Sequence, residues 1–120
     1  MQYKRSARVG DQIKKDVANI IMLELKDPRL GLITINSVEL SDDLRYARVF
    51  YTVFGDEKVK KESQKGLDSA KSFIQRELAK RIRIKRIPEI TFKYDQTIEK
   101  ASRIDHLLNQ IQNESKLKDE

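Results

Sequence analysis

The sequence predicts an α+β domain, and three observations carry that expectation. Apolar residues recur three and four apart through an early segment and again after residue 57, the spacing of amphipathic helices. Two segments between them alternate apolar and polar residues, the spacing of half-buried strands. No linker, internal repeat or low-complexity block divides the 120 residues. The expectation is therefore a single domain over residues 1–112, with a polar, frayed tail over 113–120.

The elements follow in chain order. Val9, Ile13, Val17, Ile20, Ile21 and Leu25 form one stripe, which predicts a helix from about Ser6 to Lys26 with Lys14, Lys15 and Asp16 on its polar side. Asp27-Pro28 stops it, because the residue before a proline avoids helical geometry, and Gly31 closes the turn. A strand is expected from Leu32 to Leu40. Ile33 and Ile35 share one parity and Val38 and Leu40 the other, so a bulge near Asn36-Ser37 is needed to reconcile them. Ser41-Asp42-Asp43 reads as a turn. A second strand, Arg45 to Phe54, carries Ala47, Val49, Tyr51 and Val53 on one face, which makes the pair an antiparallel hairpin. Residues 57–84 are helical in pattern, too long for one straight helix in so small a domain. Ile90, Phe92 and Tyr94 predict a third strand after Pro88. A weaker helical pattern follows through Ile98, Ile104, Leu107, Leu108 and Ile111.

The charge narrows the function. The net charge is +6 and 37% of residues are charged, so an anionic partner is expected, nucleic acid ahead of an acidic membrane. The charge is unevenly spread. Lys71, Arg76, Lys80, Arg81, Arg83, Lys85 and Arg86 stand against one acid, Glu77, a surplus equal to that of the whole chain. Ile82, Ile84 and Ile87 interleave with the last of these, which predicts apolar side chains turned inward and a basic outer rim. A mixed-sign helix face would form internal pairs; a single-sign rim suits phosphates. Lys4, Arg5 and Arg8 form a second basic patch that opposes the helix dipole. Tyr46, Phe50 and Phe54 share a strand face with Arg48. Exposed aromatics on a sheet can stack RNA bases, but the expectation for these three is burial under the N-terminal or C-terminal helix, because a small core needs them.

Catalytic chemistry finds little purchase. There is no cysteine, and the single histidine, His106, reads as a surface residue beside Leu107 and Leu108. No glycine-rich phosphate loop is present, and Asp42-Asp43 read as turn residues. No cofactor, metal or small-molecule substrate is expected. The longest apolar run, Ala18 to Leu25, is too short to cross a bilayer, and the N-terminus lacks a secretory pattern, so a soluble, cytoplasmic, monomeric protein is expected.

Local motifs add a family resemblance. Lys26-Asp27-Pro28-Arg29-Leu30-Gly31, then Val38 to Leu44 with Ala47-Arg48-Val49, resemble the ribosome-binding factor A family. So do Phe73-Ile74, Glu77-Leu78, Arg83, Pro88 to Phe92, Tyr94-Asp95 and Ile104 with Leu107-Leu108. The element order also matches a type II KH domain. The resemblance implies a three-stranded mixed sheet with helices on one face, the helical segment broken by a kink, and a C-terminal helix. It implies a non-enzymatic maturation factor that binds the small (30S) ribosomal subunit. Such a factor assists late folding and 5′-end processing of its 16S rRNA, most of all in the cold. The family's Ala-x-Gly kink corresponds here to Ala70-Lys71-Ser72. The expected RNA surface is Lys71, Ser72, Arg76, Lys80, Arg81, Arg83, Lys85 and Arg86, with Arg5 and Arg8 as a further contact. The alternatives are a structural ribosomal protein and a small RNA-processing enzyme.

Overall fold

The structure is a computed structural model that describes residues 5–97 and 107–111. Helix α1 spans Arg5–Leu23, strand β1 Leu32–Leu40, strand β2 Tyr46–Phe54, helix α2 Glu57–Arg81 and strand β3 Glu89–Tyr94. Residues 107–111 are helical, with Leu107, Leu108 and Ile111 exposed. The expectations for Ile98, Ile104, His106 and the tail at 113–120 lie outside the described residues.

β1 and β2 pair antiparallel, and β2 and β3 pair parallel, in the order β1-β2-β3. A parallel pair needs a long crossover, and α2 supplies it. The bulge sits where the parity of β1 requires it. Pairing steps from Ile35 opposite Tyr51 to Ser37 opposite Phe50, which leaves Asn36 unpaired. Ile33 and Ile35 can then share the inner face with Val38 and Leu40.

One face of the sheet is buried, and most of the described residues on the other are exposed. Ile35, Ala47, Val49, Tyr51, Ile90 and Phe92 pack against Ile13, Val17 and Ile20 of α1 and Leu67, Ile74 and Leu78 of α2. The outer face differs from the expectation of burial. Tyr46 is 58% exposed and Phe54 84%, while Phe50 is half-buried beside Asp95 and Thr97. The physical reason is that Tyr51, Phe92 and the aliphatic residues fill the core without them.

α1 ends three residues before the expected Lys26. The N–H groups of Glu24 and Leu25 both close onto the Ile20 carbonyl, at 2.9 and 3.2 Å, before the proline is reached. Asp16, expected on the polar side, is buried and accepts a hydrogen bond from Gln12 at 2.9 Å.

α2 also differs from expectation. It is one continuous helix from Glu57 to Arg81, and Ala70, Lys71 and Ser72 all lie within it. Ser72 has no positive φ, so nothing at that point requires glycine. Asp56 caps the helix, accepting from the Val59 N–H at 3.0 Å. Its register is held by a polar tie. The Tyr51 hydroxyl donates to Gln64 Oε1, and Gln64 Nε2 donates to the Phe92 carbonyl and to Asp68, each at 3.0 Å.

Candidate nucleic-acid interface

The second half of α2 and the segment to β3 carry the excess charge. Ile82 caps the helix in an extended conformation, its N–H on the Leu78 carbonyl at 2.9 Å. From there the chain alternates as its sequence predicts. Ile82 and Pro88 are buried and Ile84 and Ile87 half-buried, while Arg83, Lys85 and Arg86 are exposed. On α2, Ser72, Arg76 and Lys80 stand four residues apart and exposed, one turn above the next.

The seven cations are not equivalent. Arg81 reaches back to Glu24 just past the end of α1 and also pairs with Glu77 at 3.2 Å. Lys80 donates to the same Glu77 at 3.0 Å. Hydrogen bonds from Lys80, and then from Arg81, hold the Glu77 carboxyl below its usual range. Arg81 is thus a clamp between the two helices, an arrangement that charge counting along the chain does not reveal. Lys71, Arg76, Arg83, Lys85 and Arg86 have no ion pair with a described residue. These five keep their charge available to an external anion.

Two open clefts border this rim. One, about 520 Å³, lies between the β1–β2 turn and the basic segment, lined by Asp43, Leu44, Arg45, Ile84, Lys85 and Arg86. A second, about 470 Å³, shares Arg45 and Arg86 and adds Tyr46, Lys71 and Glu89. Sequence reasoning assigned no role to Arg45. The signal it lacked is the turn itself, in which Leu44 takes φ 61°, the one positive φ of a non-glycine among the described residues. Arg8 is exposed on α1 and lines neither cleft, and the Arg5 side chain lies outside the described residues.

Among the described residues, no group of three or more His, Cys, Asp or Glu could hold a metal ion. No helix among them is long and apolar enough to cross a membrane.

Comparison with known proteins decides the family. The family model for ribosome-binding factor A matches residues 5–108. This chain belongs to the ribosome-binding factor A family. Its relative from Halothermothrix orenii, ribosome-binding factor A, is 42% identical over 114 residues, 95% of this chain and 93% of the relative. The crystal structure of ribosome-binding factor A from Thermus thermophilus superposes with a TM-score of 0.69. It is 30% identical and covers 77% of this chain and 97% of its own. A model of the Thermus thermophilus factor, fitted into a cryo-EM map of its 30S complex, is 31% identical with a TM-score of 0.64. It covers 75% of this chain and 94% of its own. Within the family frame, the α+β fold and mixed sheet agree with the sequence reading, and the uninterrupted α2 is where this chain departs from it.

Proposed function

We propose that this chain is a ribosome-binding factor that binds the small ribosomal subunit through its 16S rRNA and acts without catalysing a reaction. The observation that carries the reading is the set Lys71, Arg76, Arg83, Lys85 and Arg86, four exposed and Lys71 half-buried, which has no carboxylate partner among the described residues. Its likeness to a factor fitted into a 30S complex supplies the partner. Phosphate contacts of this kind position a protein on RNA without choosing sequence. Each phosphate they neutralise adds roughly 0.7 to 0.9 to the slope of log affinity against log salt, so binding weakens steeply as salt rises. Held on the maturing subunit in the cytoplasm, a monomer of this shape would stabilise one arrangement of late-folding RNA and so assist 5′-end processing by other enzymes.

The test is co-sedimentation with immature small subunits. Reversing Arg83, Lys85 and Arg86 to Glu removes the rim while leaving the Arg81 clamp in place. Binding should be lost with the thermal midpoint unchanged. Undiminished binding by that folded variant would remove this surface from the interface. Cleavage of precursor RNA by the pure protein with magnesium would overturn the non-catalytic reading.

A further inference from the structure

Tyr46 is the first residue of β2 and stands on the open face of the sheet, 58% exposed. Its ring has no aromatic partner, and its hydroxyl no hydrogen bond, among the described residues. It forms one wall of the 470 Å³ cleft. Arg45, which also pairs with Asp43 at 3.9 Å, Lys71 and Arg86 line the same space, with Glu89 the carboxylate in that lining. An exposed aromatic residue in a cleft that cations also line suits a flat apolar group that carries negative charge on either side.

The walls are held rigidly. Ser41 Oγ accepts from the N–H groups of Arg45 and Tyr46, at 3.2 and 3.0 Å. The Ser41 N–H donates to the Tyr46 carbonyl at 2.9 Å, and the Glu89 N–H donates to the Arg45 carbonyl at 2.8 Å. On the far side, Gln75 of α2 accepts from the Ile90 N–H at 3.4 Å, which holds that helix against the edge of β3. Leu44 keeps its left-handed backbone within this network. A residue held at such a φ, beside a cleft, is a hallmark of a constrained functional turn. Preorganised walls lose little entropy when a ligand enters.

We propose that this cleft is a subsite for one unpaired RNA base, stacked on the Tyr46 ring. Its flanking phosphates lie against Arg45 and Arg86, and the neighbouring 520 Å³ cleft, with Lys85, receives the next phosphate. Base stacking on a ring tolerates any base, and cations supply the backbone affinity. Glu89 offers an acceptor to an exocyclic amino group, as on adenine. A paired base, enclosed in its duplex, cannot reach the ring, so the subsite selects single-stranded segments. The inference rests on the RNA-binding function proposed above and adds to it a site that reads single strands.

The experiment titrates labelled single-stranded oligoadenylate against the full chain by fluorescence anisotropy. It compares wild type, Tyr46→Phe and Tyr46→Ala, and repeats each with an oligomer carrying abasic positions. Tyr46→Phe should bind as wild type does, and Tyr46→Ala about tenfold more weakly. The abasic oligomer should bind wild type weakly and be indifferent to Tyr46→Ala. The thermal midpoint reports folding, which the exposed ring does not govern. Equal binding by wild type and Tyr46→Ala overturns the subsite, as does equal binding of wild type to intact and abasic oligomers. If the Arg83, Lys85 and Arg86 reversal still abolishes subunit binding, the proposed function stands without the subsite. If wild type binds neither subunits nor oligomer, both fall.

Discussion

At Gly31 a methyl group would meet Val53 Cγ2 and Val59 Cγ1, each at 2.8 Å. Both neighbours are β-branched and stiff, so neither turns aside easily. The glycine N–H donates to Ser63 Oγ at 3.0 Å, which pins the loop after α1 onto α2. Gly31→Ala should therefore cost about 1–3 kcal/mol, read by chemical denaturation, in the manner of an overpacked core. A cost near zero would show that the loop can lift. The glycine was legible in the sequence as the end of a turn, but its close approach to α2 was not, because the contact spans 32 positions. Arg81 has the same character. Its charge is plain in the sequence, and its engagement with Glu24, 57 positions away, depends on the packing of two helices.

Among the elements, α2 separates what periodicity reveals from what it does not. Its apolar spacing located Ile74 and Leu78 correctly in the core, and the bulge in β1 could be placed from parity alone. Continuity could not be read, since a kinked and a straight helix share one spacing. The uninterrupted helix makes a test at Ser72. In a helix interior, Ser72→Gly should lower stability by about 0.5 kcal/mol, and Ser72→Ala should raise it by about the same amount. A kink built on positive φ would reverse the order, with glycine the more stable. Urea midpoints of the two variants decide between them. The β2 aromatics failed to follow expectation for a comparable reason. Alternation tells which residues share a face, and only the assembled layers tell which face is covered.

Across the molecule, four carboxylates are held by hydrogen bonds, most of them from residues two to four positions away, and the bond from Asn36 to Asp95 joins segments 59 positions apart. The Arg29 guanidinium holds Asp27 below its usual range, and the Ser41 hydroxyl does so for Asp43. Lys80 and Arg81 act on Glu77, and Thr97 and Asn36 on Asp95. A carboxyl whose pKa is lowered by folding stabilises the fold at any pH above its unfolded value, and that stability is lost as pH falls through the folded value. The thermal midpoint should thus stay level from neutral pH down to about 5 and fall once pH drops below about 4. Glu77→Gln should flatten part of that fall and lower the midpoint at neutral pH. A midpoint that stays level below about pH 4 would show these pairs to be inert. The +6 charge and its confinement to residues 71–86 were open to inspection in the sequence. What required the fold was the division of those cations into two paired within the protein and five without a carboxylate partner among the described residues.

The bulge at Asn36 has a bearing on what the protein avoids. β1 is an edge strand, and no described strand pairs with its outer side. A straight edge would offer a ladder of free N–H and C=O groups to a second chain. Asn36 breaks that ladder, and its side chain is drawn across the sheet to Asp95 at 2.9 Å, so the irregularity is anchored rather than incidental. The strand that supplies half of the hairpin is in this way a poor template for cross-chain pairing, which guards a sheet that, among the described residues, has both an exposed face and an unpaired edge.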